Sequence, residues 1–486
     1  KYTEYKQLDM TQLGEEIRRF WEENEIFEKG QKLSEGHPSY VFYDGPPSAN
    51  GKPGIHHVMA RTIKDVFCRY KAQKGFFVDR KAGWDTHGLP VELGVEKNLG
   101  ITKEDIGKKI SVDDYNRACR TEVLKYKDLW DELTRQMGYW VDLKHPYITF
   151  ENEYIETLWF LLKKLYDKGL LYKGYTIQPY SPAAGTGLSS HELNLPGCYR
   201  DVKDTTCVAM FRVRQALPEA HGLPTYAIAW TTTPWTLPSN TALCVGPSID
   251  YVLLETTHPT TGEPCCIIMA EPRMGDFYTE GEPDEKSKLQ HCKVLSRCKG
   301  KDLEGIAYEQ LIPWVKPTVV DMANQTHRPA TEGEAFRIIL GDYVTTEDGT
   351  GIVHIAPTFR ADDARVAKKA GIGDLLMYDR DGKQMPMVDK RGRFVPIEDL
   401  DPAWVKENVD TEEYGKYAGK FVKNAFDPTK TEKDMSLDVE LVIMLKEQGK
   451  LLKSEKHTHN YPHCWRTDKP VLYYPLDSWF IRTTAF

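Results

Sequence analysis

The pattern of apolar and polar positions between residues 40 and 78 predicts a strand, a loop, a helix and a second strand. The apolar run Tyr40–Tyr43 is typical of a short buried strand, and turn-forming glycines and prolines occupy much of 44–53. A helix follows, and Gly75 ends it before the second strand at 76–78. The apolar residues at helical spacing that predict its buried face are Ile63, Val66, Phe67 and Tyr70.

The rest of the chain changes from helical to β-rich patterning and then becomes mixed. Residues 1–38 have the spacing of charged helices, and 115–172 that of further helices. The buried face predicted there consists of Tyr154, Leu158, Leu161, Leu162 and Leu165. From Tyr199 onward, short β-rich segments and frequent turns indicate a separate domain. A helix is predicted at 436–451, and strands in the aromatic-rich stretch 457–486.

The composition of the 486 residues, 40% hydrophobic and 28% charged, is that of an ordinary globular protein. A net charge of −8 gives no overall support for nucleic-acid binding, so an RNA partner requires local basic patches. Ten cysteines without paired spacing favour a cytoplasmic location over a disulfide framework, and no apolar run reaches membrane-spanning length. Because the first residue is Lys1 and not Met, we expect a chain that is trimmed at that end.

A nucleotide site is predicted where the helix after the first loop begins. Gly54, His56 and His57 stand at that N-terminus, where backbone N–H groups and the helix dipole attract phosphate. Imidazole N–H groups add donors for oxygens on which charge develops. These features predict bound nucleotide without identifying a reaction.

A second candidate site is the stretch 83–90, which follows the second predicted strand. Ligands of open α/β sheets bind at the carboxyl ends of strands, so Asp85 is placed to hold a substrate ammonium and Trp84 to wall a pocket. The alternative is a tight turn in which Asp85 caps a helix. Taken alone, the stretch favours the turn.

Four stretches together resemble the isoleucyl-tRNA synthetases of class I. They are DGPPSANG (44–51), GWDTHGLPVE (83–92), WTTTPWTLPSN (230–240) and GTGIVHIAP with the following Asp362-Asp363 (349–363). The segment 463–484 fits the same family. The resemblance implies an α/β fold with a Rossmann-type catalytic domain interrupted by a β-rich editing domain. The expected parts are a helical lead-in (1–38), the first half of the catalytic domain (39–172), a connection (173–199), the editing insert (200–420) and a return segment (421–486).

The resemblance also implies a reaction. ATP with Mg²⁺ activates isoleucine to the aminoacyl-adenylate, and the acyl group passes to the terminal adenosine of tRNA(Ile). ATP binding is expected at the residues of the first signature and the loop before it, Asn50, Gly54, His56 and His57. The resemblance assigns the amino-acid pocket to Gly45, Pro46 and Asp85, with Asp85 pairing the substrate ammonium.

An editing site that hydrolyses valyl-tRNA is implied in the β-rich insert. There the resemblance gives Asp363 the substrate ammonium, and gives Thr231, Thr232, Thr233 and His354 the ester and a water. Each residue also has a simpler explanation, because threonines favour strands and aspartates favour the first turn of a helix. In the family's order, the set favours the site.

The chain departs from the family's pattern in three respects. The usual His-x-Gly-His at the first helix is here Gly54-Ile55-His56-His57, and we expect His56 to supply the missing donor. No structural zinc is expected, because the four ligand positions of some relatives are here Ser181, Ala184, Cys464 and Thr467. The lysine-rich KMSKS loop does not occur before Phe486, so we expect the amino-terminal portion of a longer enzyme.

Two other functions remain open: an RNA-binding paralogue that has lost activation, and a stand-alone editing hydrolase. Both are disfavoured because Pro46, Asp85 and the turn residues around them are retained.

Overall fold

The chain divides into two compact units in a computed structural model, which describes residues 4, 7–42, 45–281, 289–321, 326–331 and 333–485. The first unit is Lys1–Tyr172 with Phe480–Phe486, and the second is Lys173–Trp479. No helix of the described residues is both long enough and apolar enough to cross a membrane.

The first unit is mainly helical. Its elements are α1 (Met10–Glu23), α2 (Ile26–Leu33), α3 (Ile55–Gln73), β1 (Lys81–Trp84), α4 (Leu89–Leu99), α5 (Val112–Val123), α6 (Lys127–Gln136), β2 (Asp142–Ile148) and α7 (Asn152–Asp167). Strands β1 and β2 pair in parallel, from Lys81 opposite Asp142 to Trp84 opposite Ile148. The strand β2 corrects the prediction that 115–172 is helical throughout, because residues 142–148 pair with β1 instead.

Neither of the two short strands predicted around the first loop forms among the residues that the structure describes. Ser39 and Phe77 make an isolated parallel bridge, and Val41 is exposed. Two backbone hydrogen bonds align the segments, from Tyr40 N–H to Phe77 O and from Phe77 N–H to Pro38 O. Two residues of these predictions lie outside the described residues: Tyr43, the last residue of the first predicted strand, and Asp44, the first residue of the motif at 44–51.

The predicted buried face of α3 is exposed. Its four apolar residues, Ile63, Val66, Phe67 and Tyr70, are each more than half exposed. The opposite face packs, because the Arg61 guanidinium lies 4.9 Å from the ring centroid of Trp130, and Cys68 is buried. On that packed side, Asp65 pairs with Arg69 at 2.7 Å.

The apolar residues of α7 are likewise uncovered. Leu158 and Leu161 are exposed, and no residue of this helix is buried. The predicted buried face at Tyr154, Leu158, Leu161, Leu162 and Leu165 is therefore wrong for this unit. The helical periodicity predicted the helix α7 correctly, but it did not predict whether other residues cover its apolar face.

The second unit, with its two boundary strands, is rich in strands. Its strands are β3 (Leu171–Ser181), β4 (Thr186–Gly187), β5 (Tyr199–Arg212), β6 (Thr225–Thr231), β7 (Ala242–Val245), β8 (Asp250–Thr257), β9 (Pro264–Ala270), β10 (Tyr278–Glu280), β11 (Gln290–Lys299), β12 (Thr318–Asp321), β13 (Thr326–Pro329), β14 (Arg337–Leu340), β15 (Ile352–Ile355), β16 (Leu376–Tyr378), β17 (Gln384–Pro386), β18 (Leu451–Pro462) and β19 (Leu472–Ile481). Its helices are α8 (Ser190–Leu193), α9 (Ala361–Lys369), α10 (Pro402–Asn408), α11 (Thr411–Gly415) and α12 (Leu437–Glu447).

A seven-stranded sheet with the order β10-β11-β8-β9-β6-β5-β18 forms the main layer of this unit, and a three-stranded sheet, β14-β7-β15, accompanies it. The core is continuous from Phe211 and Leu253 to Leu441 of α12. Residues up to Trp479 belong to this unit. The strand β18 pairs with β5, a contact that the sequence did not predict. The domain boundaries expected from the sequence, with a return segment at 421–486, stay a prediction.

Substitutions at two glycines can distinguish two contributions to the free energy of unfolding: the cost of a left-handed backbone and the cost of a steric contact. Gly351 has φ +73°, and a Cβ there would lie 2.2 Å from Ala270 Cβ. Gly371 has φ +68° with no atom within 4 Å of such a Cβ. We expect Gly371→Ala to cost about 1–2 kcal/mol for the backbone alone. Gly351→Ala should cost about 1–3 kcal/mol more, because Ala270 Cβ moves only with its backbone.

Chemical denaturation of both variants, compared with the unsubstituted chain, measures these two costs. Equal losses of unfolding free energy in the two variants would show that the contact with Ala270 is relieved without cost.

Candidate active sites

The first candidate site is built where the loop 45–51 meets the segment after β1. Asp85 N–H donates to Pro47 O at 3.0 Å, and Asn50 Nδ2 donates to Pro90 O at 3.1 Å. Ser48 Oγ donates to Asn50 Oδ1 at 2.6 Å, which fixes the amide's orientation. Two stretches 40 residues apart are thereby held side by side.

Asp85 follows the carboxyl end of β1, and its residue is exposed. Its carboxylate accepts a 3.4 Å contact from His87 N–H, whereas the N-cap of α4 is Gly88. The alternative in which Asp85 caps that helix is therefore wrong. Of its predicted partners in the amino-acid pocket, Gly45 is exposed and Pro46 is half-buried.

The histidine pair occupies the first turn of α3, whose N-cap is Gly54. His57 Nδ1 accepts the Gly54 N–H at 2.9 Å, so in the neutral ring Nε2 carries the proton. Burial, and then the neighbouring His56 and Arg61, lower the pKa of His57, which keeps its imidazole neutral. His56 is exposed and its ring centroid lies 3.8 Å from that of His57.

Trp130 joins the histidines to the loop. Its indole N–H donates to Gly51 O at 2.8 Å, and its ring meets His57 edge-on at 4.7 Å. The sequence analysis did not include Trp130 in the site, because a tryptophan on a helical apolar stripe is typical of a core position. Gly54, His56 and His57 are thus brought together beside the loop that holds Asn50, and their ATP-binding roles stay a prediction.

The second candidate site is a chain of buried polar side chains at the end of β6. Thr233 N–H donates to Thr231 Oγ1 at 3.1 Å, and Thr236 Oγ1 donates to Thr233 O at 2.8 Å. Thr231 and Thr233 are buried, whereas Thr232 is half-buried. Trp235 N–H is held by the Asp438 carboxylate of α12 at 2.9 Å.

His354 on β15 continues this chain, with Nε2 3.1 Å from Thr236 Oγ1. Because that hydroxyl gives its only hydrogen to Thr233 O, the imidazole must be the donor in this contact. The Nδ1 lone pair is then buried without a partner among the residues the model describes. Burial, and then the charge of Arg360, lower the pKa of His354 to about 3, so the ring is neutral near pH 7.

Asp363 in the first turn of α9 is only 1% exposed, and its Oδ2 accepts Ala356 N–H at 2.9 Å. Burial raises the pKa of this carboxyl to about 6, against the opposing charge of Arg360. An ammonium group therefore reaches the carboxylate only if side chains around Asp363 move.

A cavity of about 180 Å³ opens beside this polar chain. Its lining comprises Trp230, Thr231, Thr232, Tyr343, Thr345, Asp348, Gly349, Thr350, Gly351, Ile352, Val353 and Arg360. Thr231 and Thr232 thus face the cavity, whereas His354 and Asp363 are buried behind other atoms. Arg360 was not predicted as a site residue, because a single cation near two aspartates is typical of a solvent-exposed surface.

The four positions considered for zinc in the sequence analysis are Ser181, Ala184, Cys464 and Thr467. Ser181 Oγ accepts Ala184 N–H at 3.2 Å, and Cys464 is buried. Within the described ranges, no group of three or more His, Cys, Asp and Glu side chains is arranged to hold a metal ion.

His354 gives the second unit a pH-dependent stability with a definite sign. Its folded-state pKa of about 3 lies below the ordinary value of 6.5, so its contribution is complete above pH 6.5 and is lost as the pH falls toward 3. Over this window the loss is about 1.4 kcal/mol per pH unit. In His354→Gln that component should be absent. Unfolding free energies at pH 7 and pH 5 test this, and parallel pH curves for both proteins would contradict it.

Comparison with known proteins shows the family to which the chain belongs. The model for tRNA synthetases class I (I, L, M and V) matches residues 16–486. The isoleucine–tRNA ligases of Porphyromonas gingivalis, Bacteroides thetaiotaomicron and Cytophaga hutchinsonii are 61%, 60% and 56% identical to this chain over its whole length. The chain spans 42–43% of the length of these relatives. The chain belongs to the class I tRNA synthetases of the isoleucine, leucine, methionine and valine group.

Proposed function

We propose that the longer protein to which this chain corresponds is an isoleucine–tRNA ligase with hydrolytic editing. The observation that carries the proposal is the 56–61% identity to isoleucine–tRNA ligases across the whole chain. In this proposal the first unit contributes to a Rossmann-type catalytic domain, and the β-rich second unit contains the editing insert.

The activation step needs positioning and charge stabilisation rather than a protein nucleophile. The isoleucine carboxylate attacks the α-phosphorus of ATP, and pyrophosphate leaves with Mg²⁺ bound. Asp85, exposed at the end of β1, is the proposed partner of the substrate ammonium. His57 with its Nε2 proton and the exposed His56 are the proposed donors to ATP oxygens. Asn50, Gly54 and the Gly45-Pro46 turn complete the proposed pocket.

A second site is required because isoleucine and valine differ by one methylene. Such a difference is worth only about 1–3 kcal/mol in an apolar pocket, and isoleucyl-tRNA synthetases are the established example of this limit. Valine is therefore also activated, and the valyl ester must be hydrolysed after transfer.

The threonine chain and its cavity are the proposed hydrolytic site. The valyl ester binds beside Thr231 and Thr232. The hydroxyl of Thr233 and neutral His354, which are buried behind the cavity, orient the ester with a water once the side chains in front of them move. Asp363 takes the substrate ammonium once its carboxylate is uncovered. No strong nucleophile is needed, because an aminoacyl ester is already activated toward water.

Pyrophosphate exchange tests the proposal directly. The full-length protein should catalyse isoleucine-dependent exchange between ATP and pyrophosphate, and do so less well with valine. No exchange with either amino acid would reject the proposal in favour of an RNA-binding paralogue.

His56 should matter to activation because Gly54 leaves the first position of the signature without an imidazole. His56→Gly should lower isoleucine-dependent exchange roughly 10- to 100-fold, the equivalent of one hydrogen bond to a charged group. Ile55→Ala, at an exposed neighbouring position, is the matched control.

Restoring the family's arrangement should recover exchange. A Cβ on Gly54 would lie 2.9 Å from His56 Cε1, so Gly54→His requires the His56 ring to move, and glycine at position 56 removes that contact. The double variant Gly54→His with His56→Gly should therefore exceed either single variant. If His56→Gly behaves like Ile55→Ala, the side chain of His56 does not contact ATP.

Asp363→Asn separates an ammonium contact from a structural carboxylate. The asparagine oxygen can still accept the Ala356 N–H, so the fold keeps its hydrogen bond while the charge is lost. Loss of a charge-assisted contact should slow valyl-tRNA hydrolysis tenfold or more, at about 1.5–3 kcal/mol, with isoleucine exchange unchanged. Asp362→Asn, at the exposed neighbour, should leave hydrolysis unchanged. Hydrolysis that survives in Asp363→Asn would assign this carboxylate a structural role.

A further inference from the structure

Arg360 is the only cationic residue among the described residues that line the cavity beside the threonine chain. Its Nη2 donates to Thr233 Oγ1 at 3.2 Å, which uses one of its five N–H donors. Its neighbours on the chain do form ion pairs, as Arg365 does with Asp362 at 3.1 Å. Arg360 itself forms no ion pair with the carboxylates that the model describes.

The backbone fixes where this guanidinium stands. Arg360 is the N-cap of α9 in extended conformation, with φ −141° and ψ 130°, and its side chain makes no capping bond. The turn after β15 brings it to the end of β6, where Thr233 accepts its hydrogen bond. An arginine that spends no donor on a helix cap or a carboxylate has its remaining donors available to a ligand.

The positive charge of Arg360 affects the pKa values of two buried groups in the second unit. Burial, and then Arg360, lower the pKa of His354. Burial raises the pKa of Asp363, and Arg360 opposes that rise. The half-buried guanidinium also contacts the buried side chain of Thr233, and charges in such surroundings are screened less than in bulk water. In such surroundings a fixed cation stabilises a developing negative charge more strongly than water does.

We infer that Arg360 is a further catalytic residue for deacylation, whose guanidinium stabilises the oxyanion that forms on the ester carbonyl. The inference rests on the proposed editing function. Water attacks the acyl carbon, a new C–O bond forms, and the carbonyl electron pair moves onto oxygen beside Arg360. Collapse of this intermediate breaks the bond to the ribose oxygen, which takes one water proton. The amino acid leaves as its carboxylate, and the other proton passes to solvent.

This assignment gives the two charged groups of the site complementary tasks. In an aminoacyl ester the ammonium and the carbonyl oxygen are on adjacent carbons. Asp363 and Arg360 are three residues apart, one in the first turn of α9 and one at its N-cap. An anion and a cation so placed match the two poles of the reacting ester.

The test is single-turnover hydrolysis of valyl-tRNA by the full-length protein. Arg360→Gln should lower the maximal hydrolysis rate about 100-fold with little change in the half-saturating tRNA concentration, as expected for a lost oxyanion donor. Arg360→Lys, which keeps the charge, should lose less. Arg365→Gln, on the same helix and exposed, is the matched control and should hydrolyse valyl-tRNA normally. Isoleucine-dependent exchange should be the same in all four proteins.

A second readout excludes a merely structural role. Millimolar guanidinium ion should raise hydrolysis by Arg360→Ala severalfold and leave Arg365→Ala unaffected, because only the former offers a vacated cation site. Absence of rescue together with a lowered melting temperature would overturn the inference.

The other outcomes are equally decisive. A change confined to the half-saturating tRNA concentration would mean that Arg360 contacts a tRNA phosphate. Faster hydrolysis in Arg360→Gln would mean that the guanidinium repels the substrate ammonium. Either result overturns the oxyanion assignment while leaving the editing function intact. If the unsubstituted protein does not hydrolyse valyl-tRNA at all, the proposed editing function and this inference fail together.

Discussion

The antiparallel pairing of β5 with β18 is the constraint on which the second unit depends. It runs from Tyr199 opposite Pro462 to Ala209 opposite Leu451, and joins segments about 250 residues apart in the chain. Closing so long a loop costs conformational entropy, although that cost grows only slowly with length. The paired strands hold the two ends of the intervening polypeptide together, so the β-rich region folds as one closed body.

This closure also orders the threonine chain. Helix α12, which leads directly into β18, places the Asp438 carboxylate against Trp235 N–H at 2.9 Å. Burial raises the pKa of Asp438 to about 7. Helix α12 thus brings a carboxylate to the threonines at the end of β6, where the imidazole of β15 also lies. The hydrogen bonds from Thr233 N–H to Thr231 Oγ1 and from Thr236 Oγ1 to Thr233 O fix the orientation of these side chains.

Sequence patterns predicted the elements better than their surroundings. Helix α3, helix α12 and the strands β18 and β19 lie where periodicity and aromatic content indicated. The apolar face of α3 was misjudged, because periodicity cannot distinguish a stripe that packs from one that stays exposed while Arg61 packs on Trp130. The strand β2 was missed, because it depends on a parallel partner rather than on its own composition.

For the candidate sites, too, the sequence predicted which segments are involved better than it predicted their surroundings. The resemblance implied that the loop 45–51 and the segment after β1 lie side by side, and the hydrogen bond from Asp85 N–H to Pro47 O joins them. Burial was not predictable in this way. Nothing in the motif indicates that Asp363 is covered or that Arg360 lines the cavity, since both depend on how the turn after β15 packs against the end of β6.

The two sites act in series if valine passes the first and is removed at the second. The amount of AMP formed per aminoacyl-tRNA, measured on the full-length protein with and without tRNA, tests this coupling most directly. With isoleucine, AMP and isoleucyl-tRNA should form in equal amounts. With valine, tRNA should stimulate continuous AMP formation while no valyl-tRNA accumulates. Stable valyl-tRNA, or AMP formation that tRNA does not stimulate, would contradict a second, hydrolytic site.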